Sequence, residues 1–441
     1  MDPHDDRSNP VLSRREAAVA RVVVVVFLAC IGIVPALEWA TARGSNDGSE
    51  TAWSLLSGIS ARVRERLAVD AGSDAGIARR VVVANRAVLE AFRAFEDGLE
   101  EQARIGRLLR PPAQDVLSGR LGAGNERVYV GRDGWLFYRP EVEYVTGPGF
   151  LDPAVLARRR ARANEWTAAP QPDPRPAIIR FARQLAARAV TLVVMPTPVK
   201  SMVHPDKLAR GYEPSSSPLQ NPSFTRLVED LRRAGVLVFD AADLLARARR
   251  ETGQPQYLAA DTHWRPEAMG IVTDALAAFL RTRVPMPAID DPGYTTEPRD
   301  VTNAGDTVAM LDLPPGQRLY PSEIVSILRV LSADGSAWRP SRAADVLVLG
   351  DSFSNIYSLA SMGWGDSAGF TEQLSYALGR PVDRIVQNSD SAYATRLALR
   401  RMLATGDDRL AGKRVVIWQF AARELTIGDW RVIELPDAAL R

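Results

Sequence analysis

The sequence predicts an α/β fold, in which helices cover both faces of a parallel sheet, and three observations favour it. From about residue 127, apolar segments of strand length alternate with segments of helical periodicity. Residues 346–349 are four consecutive apolar residues between Asp345 and Gly350, which is typical of an interior parallel strand. Polar segments follow several of these strands, and open α/β sheets form their sites at such carboxyl ends. We therefore expect one α/β domain over residues 127–441.

The apolar pattern also places the elements of this domain. A hairpin is predicted at residues 128–138, where two apolar runs flank the turn Gly131-Arg132-Asp133-Gly134. Residues 284–344 are Pro-rich and are predicted to form an irregular insertion that shapes a cleft. The strands are predicted at residues 191–195, 236–240, 346–349, 384–387 and 415–419. The helices between them are predicted at residues 176–188, 222–234, 266–282, 370–379 and 394–404.

The N-terminus is expected to hold a membrane anchor. Residues 1–16 are polar and basic at their end, whereas residues 22–37 contain no charged side chain. With the flanking alanines, this run approaches the roughly 20 residues that span a bilayer. Basic residues before the run predict a cytoplasmic tail at 1–16, a single transmembrane signal anchor at 17–39 and export of the rest of the chain.

Two alternatives to an anchor exist for this segment. The sequence Ala40-Thr41-Ala42 resembles a small-residue cleavage site, so a cleaved signal peptide would leave a soluble exported protein. A buried core helix is the third interpretation, and five consecutive valines beside a polar tail disfavour it. Residues 40–126 are expected to form a linker and a helical stalk, with helices at 52–69 and 77–109 that Pro111-Pro112 terminates.

Composition excludes some classes of function. The formal net charge is +2, and the basic residues are scattered along the chain, so no nucleic-acid surface is expected. Cys30 is the single cysteine, which rules out an intramolecular disulfide and a cysteine metal cluster. We predict neither a metal nor a cofactor.

The first candidate catalytic residue is Ser352, in Gly350-Asp351-Ser352. The predicted strand ends at Gly350, which permits a tight turn, and Ser352 then stands where a helix begins. Free backbone N–H groups at such a position stabilise developing negative charge. The alternative is that Ser352 serves only as a helix N-cap, which is a common role for serine.

The second candidate is the pair Asp261 and His263. In an extended segment, residues two apart point the same way, so the carboxylate can orient the imidazole towards a serine. The chain has three histidines, and His4 lies in the polar N-terminal tail. The alternative is that His263 is a buried structural histidine.

These motifs together resemble a known family. Gly350-Asp351-Ser352 resembles the first block of the SGNH (GDSL-type) esterases, which have a flavodoxin-like parallel sheet. The order here is permuted, with Asp261-Thr262-His263-Trp264 before the serine, and this order is similar to the alginate O-acetyltransferases of the AlgJ and AlgX type. The stretches 134–138, 196–205 and 417–423 also resemble that family.

The resemblance implies a catalytic domain in the bacterial periplasm, held at the inner membrane, that moves acetyl groups onto an exported polysaccharide. It implies that Ser352 is the nucleophile, His263 the general base and Asp261 its orienting partner. The implied partners are the polysaccharide acceptor, a multi-pass membrane acyltransferase that supplies acetyl groups, and other subunits of an export complex. The implied oxyanion and substrate contacts, each of which has a structural role as its alternative, are Asn388, Gln419, Arg423, Lys200 and Tyr138.

The residues leave three functions open. The first is an O-acetyltransferase, in which acetyl-Ser352 passes its acetyl group to a sugar. The second is a carbohydrate acetylesterase, which uses the same acyl-enzyme with water as the acceptor. The third is a non-catalytic polysaccharide-binding scaffold subunit of an export complex.

Overall fold

The computed structural model describes residues 59–68, 76–102, 104–162, 168–213, 217–388 and 393–436, together with residues 21, 24, 25, 27 and 28. The chain divides into two compact units, Met1–Ala113 and Gln114–Arg441. The anchor predicted at residues 17–39 lies almost entirely outside the described residues, as do the predicted tail and linker. Within the described part of the chain, no helix is long and apolar enough to cross a membrane.

The N-terminal unit contains helices where the sequence predicts them. Helix α1 (Ile59–Arg66) packs against helix α2 (Ile77–Gln102). Both lie inside the ranges predicted as helical, 52–69 and 77–109.

The prediction that Pro111-Pro112 ends the helical region is wrong, because helix α3 (Arg104–Leu121) contains both prolines. Proline is tolerated in the first turn of a helical segment, where its missing N–H has no intrahelical partner. The turns after the prolines are held in place by side chains. Gln114 Nε2 and Ser118 Oγ both donate to Ala123 O, at 3.2 and 3.1 Å.

The remaining elements belong to the second unit. Its strands are β1 (Val128–Val130), β2 (Leu136–Tyr138), β3 (Thr191–Thr197), β4 (Leu237–Val238), β5 (Thr295–Asn303), β6 (Glu323–Leu331), β7 (Val346–Gly350), β8 (Asp383–Val386) and β9 (Val415–Ala421). Its helices are α4 (Arg139–Thr146), α5 (Pro153–Arg160), α6 (Pro174–Ala186), α7 (Lys200–Val203), α8 (Pro205–Leu208), α9 (Phe224–Arg233), α10 (Ala242–Thr252), α11 (Pro266–Arg283), α12 (Asp306–Met310), α13 (Ser352–Asn355), α14 (Phe370–Leu378), α15 (Ala394–Ala404) and α16 (Glu424–Ile427).

Among the described residues, five strands form one parallel sheet in the order β4-β3-β9-β7-β8. Every residue of β7 and β9 is buried, as expected of strands that are covered on both faces. Phe181 on α6 packs edge-on against the Trp418 ring of β9, and the Arg396 guanidinium on α15 lies 4.5 Å from the centre of the same ring. These two helices therefore cover the same face. The predicted α/β fold with a parallel sheet and helices is confirmed.

Most predicted elements are confirmed with ends shifted by a few residues, including the antiparallel hairpin of β1 and β2. The strand predicted at 236–240 is shorter, since only β4 pairs. Asp240 ends it, because its Oδ1 accepts a hydrogen bond from Ala242 N at 2.9 Å and starts the turn into α10. Helix α10 itself was not predicted.

The prediction that residues 284–344 are irregular is wrong. Strands β5 and β6 pair antiparallel over nine residues each, and the short helix α12 lies between them. Most of β5 is exposed, so its sequence lacks the apolar alternation by which a half-buried strand is recognised. The register sets Asn303 opposite Glu323, so that both ends of this pair of strands meet at one place.

One buried amide joins the carboxyl ends of three adjacent strands. Gln419 Nε2 on β9 donates to Thr197 Oγ1 on β3 at 2.9 Å and to Asp351 Oδ1 at 2.8 Å. Gln419 Oε1 accepts from Asp351 N at 3.0 Å and from Ser354 Oγ at 2.7 Å. Because each buried polar atom is satisfied, the turn after β7 is fixed in one conformation.

Gly350 makes this arrangement sterically possible. A Cβ added at Gly350 would overlap Ser354 Oγ, lie 2.8 Å from Ser354 Cβ, and lie 3.1 Å from Gln419 Oε1. We expect Gly350→Ala to lower the free energy of unfolding of the full-length protein by about 1–3 kcal/mol, because it overpacks this buried turn.

Gly270→Ala is the matched control, since a Cβ at this helical glycine in α11 meets nothing within 4 Å. It should leave stability unchanged or raise it by up to about 1 kcal/mol. Urea unfolding followed by circular dichroism measures both variants. Equal stability of the two variants would show that the turn tolerates a methyl group.

Candidate active site

Ser352, His263 and Asp261 form one hydrogen-bonded chain at the carboxyl end of the sheet. His263 Nε2 lies 2.8 Å from Ser352 Oγ, and His263 Nδ1 lies 2.7 Å from Asp261 Oδ1. The three side chains are buried, and Ser352 is 8% exposed. The convergence expected from the sequence is therefore present. An imidazole in this position can take the proton of the serine hydroxyl.

The Asp261 carboxylate is saturated with hydrogen bonds. Its Oδ2 accepts from Trp364 Nε1 at 2.9 Å and from Asp306 N at 3.0 Å, and its Oδ1 also accepts from His263 N at 3.1 Å. Burial raises the pKa of Asp261, but the hydrogen bonds from His263 and Trp364 and the charge of the imidazole outweigh burial and hold this pKa at about 2. Asp261 is therefore a fixed negative charge beside the imidazole.

His263 is poised to accept a proton. Burial lowers its pKa, but the hydrogen bond and the negative charge of Asp261 outweigh burial and raise the pKa of His263 above the ordinary value. The Phe353 ring packs against the imidazole with 4.7 Å between ring centres. The ring is thus held with Nε2 towards Ser352.

Asp351 rather than Ser352 caps helix α13. Asp351 Oδ1 accepts from Phe353 N at 2.9 Å, and Asp351 Oδ2 accepts from Ala421 N at 2.6 Å. The interpretation of Ser352 as an N-cap is therefore wrong, and its hydroxyl is directed to His263. The Ser352 N–H lies in the first turn of the helix, where backbone donors have no intrahelical acceptor.

The insertion fixes the loop that carries the histidine. Glu323 Oε2, at the start of β6, accepts from Ala259 N at 2.7 Å and from Ala260 N at 3.3 Å. Tyr357 Oη donates to Trp264 O at 2.7 Å on the other side of the loop. Both contacts hold the backbone on either side of His263.

A second carboxylate of the insertion lies beside the imidazole. Asp306 Oδ1 accepts from Thr262 N at 2.8 Å, and Asp306 Oδ2 accepts from Thr262 Oγ1 at 2.6 Å. Burial and the neighbouring Asp261 carboxylate raise the pKa of Asp306. Gly305 allows the approach, because it has φ +97° and a Cβ there would overlap Ala260 O.

A cavity of about 180 Å³ opens beside Ser352. It combines amide, phenol and guanidinium groups with an apolar wall. Residues that line it include Tyr138, Asn388, Trp418, Gln419, Arg423 and Ile427. A small acyl group and the edge of a polar acceptor fit such a lining.

Arg423 is held in the cavity wall by a buried glutamate. Arg423 Nη1 lies 2.6 Å from Glu141 Oε1, and its guanidinium lies 5.3 Å from the centre of the Tyr138 ring. Burial raises the pKa of Glu141 to about 7, against the opposing charges of Arg423 and Lys200. The guanidinium is thus fixed between an acid and an aromatic ring.

Two of the five predicted contact residues have structural roles in this arrangement. Lys200 is fully buried, and its Nζ donates to Leu136 O at 2.7 Å and to Ala259 O at 3.0 Å. Gln419 borders the cavity, but both atoms of its amide are used by Thr197, Asp351 and Ser354, as described above. Neither side chain is free to contact a substrate.

The other three predicted contact residues, Tyr138, Arg423 and Asn388, line the cavity. Asn388 is exposed and follows strand β8, and its Oδ1 accepts from Asn355 Nδ2 at 2.7 Å. The structure therefore brings these three residues to the same cavity as Ser352.

Asp261, His263 and Asp306 also offer ligand atoms that all lie within 4.8 Å of one another. His263 Nδ1 and the carboxylate oxygens of both aspartates already have hydrogen-bond partners within this group. The geometry of the cluster is therefore accounted for by hydrogen bonding without an ion.

Sequence reasoning missed Asp306, Trp364 and Glu141. Asp306 and Trp364 lie in or beside segments without helical or strand periodicity. Trp364 is flanked by Gly363 and Gly365, both with positive φ. That Gly-Trp-Gly pattern is the available signal, since a tryptophan between two such glycines has a fixed backbone conformation.

Comparison with solved structures gives similar folds at low sequence identity. The O-acetyltransferase domain of Pseudomonas putida AlgJ is 20% identical, with a TM-score of 0.50 over 68% of this chain and 92% of that one. Pseudomonas aeruginosa AlgX is 16% identical, with a TM-score of 0.46 over 67% of this chain and 61% of that one. Bacillus cereus PatB1 is 11% identical, with a TM-score of 0.38 over 68% of this chain and 97% of that one.

A search of curated proteins gave no match. The family model of the SGNH hydrolase-like domain of the acetyltransferase AlgX matches residues 128–422. This match covers the sheet, the insertion and the three residues Asp261, His263 and Ser352. The chain therefore belongs to the AlgJ/AlgX-like family of SGNH hydrolase-like acetyltransferase domains.

Proposed function

We propose that this protein is an O-acetyltransferase in which Ser352 takes an acetyl group as an ester and passes it to a hydroxyl of an exported polysaccharide. The observation that carries the proposal is the 2.8 Å contact between His263 Nε2 and Ser352 Oγ, in a chain of the acetyltransferase family. The cavity beside Ser352 offers the space that such a reaction needs.

The first half-reaction acetylates Ser352. His263 Nε2 takes the hydroxyl proton as Oγ attacks the acetyl carbonyl carbon, and a tetrahedral oxyanion forms. The Ser352 N–H can donate to this oxyanion. When the intermediate collapses, the bond to the donor breaks, and the donor's leaving group takes the proton from His263. Asp261 stabilises the imidazolium throughout.

The second half-reaction reverses these steps with a new acceptor. A sugar hydroxyl gives its proton to His263 and attacks the acetyl ester. Collapse of the second tetrahedral intermediate returns the proton to Ser352 Oγ and releases the acetylated sugar. With water as the acceptor the same steps give an esterase, so the choice of acceptor separates the two activities.

We assign the contacts around this chemistry to the residues that line the cavity. Asn388 is the candidate second donor to the oxyanion. Arg423 and Tyr138 are candidates to contact an acidic sugar or the acetyl donor, and Glu141 fixes the position of Arg423.

The proposed setting follows from the sequence. Residues 17–39 would anchor the chain in the bacterial inner membrane, with 1–16 in the cytoplasm and 127–441 in the periplasm, unless a signal peptide is cleaved. A multi-pass membrane acyltransferase would supply acetyl groups, beside other subunits of a polysaccharide export complex. A reporter fused after Gly48 tests this, and a cytoplasmic signal from it would contradict the orientation.

The acetyl intermediate should be detectable on Ser352. After brief exposure of the full-length protein to nitrophenyl acetate, mass spectrometry should find one acetyl group on the peptide that bears Ser352. Fragment ions should place it on Ser352 and not on Ser354, whose buried hydroxyl donates to Gln419. Ser352→Ala should abolish the adduct.

In cells, Ser352→Ala should also abolish acetylation of the exported polymer while the fold remains intact, because Asp351 provides the helix cap. If a well-folded Ser352→Ala protein supports full polymer acetylation, the enzyme proposals fail and the scaffold function stands.

The rate of Ser352 acetylation should rise with pH through the raised pKa of His263, because only the neutral imidazole is a base. This acidic limb should lie above the ordinary histidine value of about 6.5. Asp261→Asn removes the hydrogen bond and charge that raise the pKa and leaves burial, which lowers it. The limb should therefore move to lower pH, while the plateau falls by up to about 10⁴-fold as the wrong tautomer is populated.

Asp274→Asn is the matched control, because this exposed aspartate on α11 loses the same charge. Initial rates with nitrophenyl acetate between pH 5 and 9 measure all three proteins. A limb that stays in place in Asp261→Asn would show that Asp261 does not set the pKa of His263.

A further inference from the structure

Thr262 is placed where it can interfere with the imidazole. Its Oγ1 lies 3.1 Å from His263 Nδ1, the nitrogen that must carry a proton if Nε2 is to accept one from Ser352. A threonine hydroxyl has a single proton. If that proton pointed at Nδ1, it would favour the tautomer with the proton on Nε2, which cannot act as the base.

Asp306 removes this competition. Its Oδ2 takes the Thr262 hydroxyl proton at 2.6 Å, while its Oδ1 is occupied by Thr262 N at 2.8 Å. The hydroxyl is then left with lone pairs only, so towards Nδ1 it can accept but not donate. Asp261 Oδ1 accepts from the same nitrogen at 2.7 Å. Both neighbours of Nδ1 therefore require it to be protonated.

We propose that Asp306 is a positioning residue that fixes the tautomer of His263 by binding the hydroxyl proton of Thr262. It acts through Thr262 and does not touch Ser352 or the cavity. Its own position comes from the insertion, where Gly305 lets its backbone N–H reach Asp261 Oδ2 at 3.0 Å. The insertion thus supplies part of the site through a residue outside the triad.

The variant Asp306→Asn tests this role because the geometry dictates how the amide would lie. Thr262 N still requires an acceptor, so the asparagine Oδ1 should stay there, and Nδ2 should take the place of Oδ2. Nδ2 is a donor, so the Thr262 hydroxyl would have to accept from it. The hydroxyl proton would then turn to the nearest free acceptor, His263 Nδ1.

The tautomer can be measured directly with ¹⁵N-histidine in the full-length protein, which has three histidines. His204 is an internal reference, because its Nε2 accepts from Gln256 N at 3.1 Å and must be unprotonated. At a pH above the pKa of His263, the wild-type His263 should carry its proton on Nδ1, as His204 does. In Asp306→Asn, a fraction with the proton on Nε2 should appear for His263 and not for His204.

The kinetic measurement rests on the proposed function, whereas the tautomer measurement does not. Asp306→Asn should slow acetylation of Ser352 by at least tenfold, and by less than the roughly 10⁴-fold loss expected when the wrong tautomer prevails. Asp300→Asn, an exposed charge loss on β5 of the same insertion, should act as wild type in both measurements. If wild-type Ser352 is never acetylated, the proposed function fails and the ¹⁵N shifts still decide the role of Asp306.

Thr262→Val separates this role from general support of the fold. Without the hydroxyl there is no competing proton, so Thr262→Val should acetylate Ser352 close to the wild-type rate. Adding Asp306→Asn to Thr262→Val should cause no further loss. An equal loss from Asp306→Asn in both backgrounds, or an Asp306→Asn protein with wild-type tautomer and rate, would overturn the proposal.

Discussion

The Gln419 amide is the constraint on which the position of the nucleophile depends. It bonds Thr197, Asp351 and Ser354 at once, and so joins the carboxyl ends of three adjacent strands to the turn that presents Ser352. The amide is buried, so breaking any of these contacts would leave a polar group without a partner in an apolar environment. The serine is therefore displayed by a rigid network, and catalysis needs no ordering of this turn.

The base reaches the nucleophile by a different route. His263 lies on a loop, and loops by themselves hold a side chain less firmly than strands do. The insertion compensates, because Glu323 binds the backbone before the loop and Asp306 binds both Thr262 and Asp261. The sheet thus fixes the serine, and the paired strands β5 and β6 fix the histidine. The two halves meet at the 2.8 Å contact between Nε2 and Oγ.

The sequence predicted the parts of this account that follow from local pattern. Four buried residues in a row predict β7, and the spacing of Asp261 and His263 predicts a shared direction. The strands of the insertion and the role of Asp306 could not be predicted, because exposed strands carry no apolar periodicity and contacts across 45 residues leave no local trace. The structural role of Lys200 was also hidden, since its burial depends on carbonyls from two distant loops.

The central claim is that acetyl-Ser352 is resolved by a sugar hydroxyl. The most direct test acetylates the full-length protein with nitrophenyl acetate, removes the reagent, and follows loss of the adduct by mass spectrometry with and without polysaccharide-derived oligosaccharides. The account predicts that an acceptor oligosaccharide clears the adduct faster than water does and gains one acetyl group per adduct lost. If every oligosaccharide tried leaves the rate at that of water and none is acetylated, the protein is an esterase and the account is contradicted.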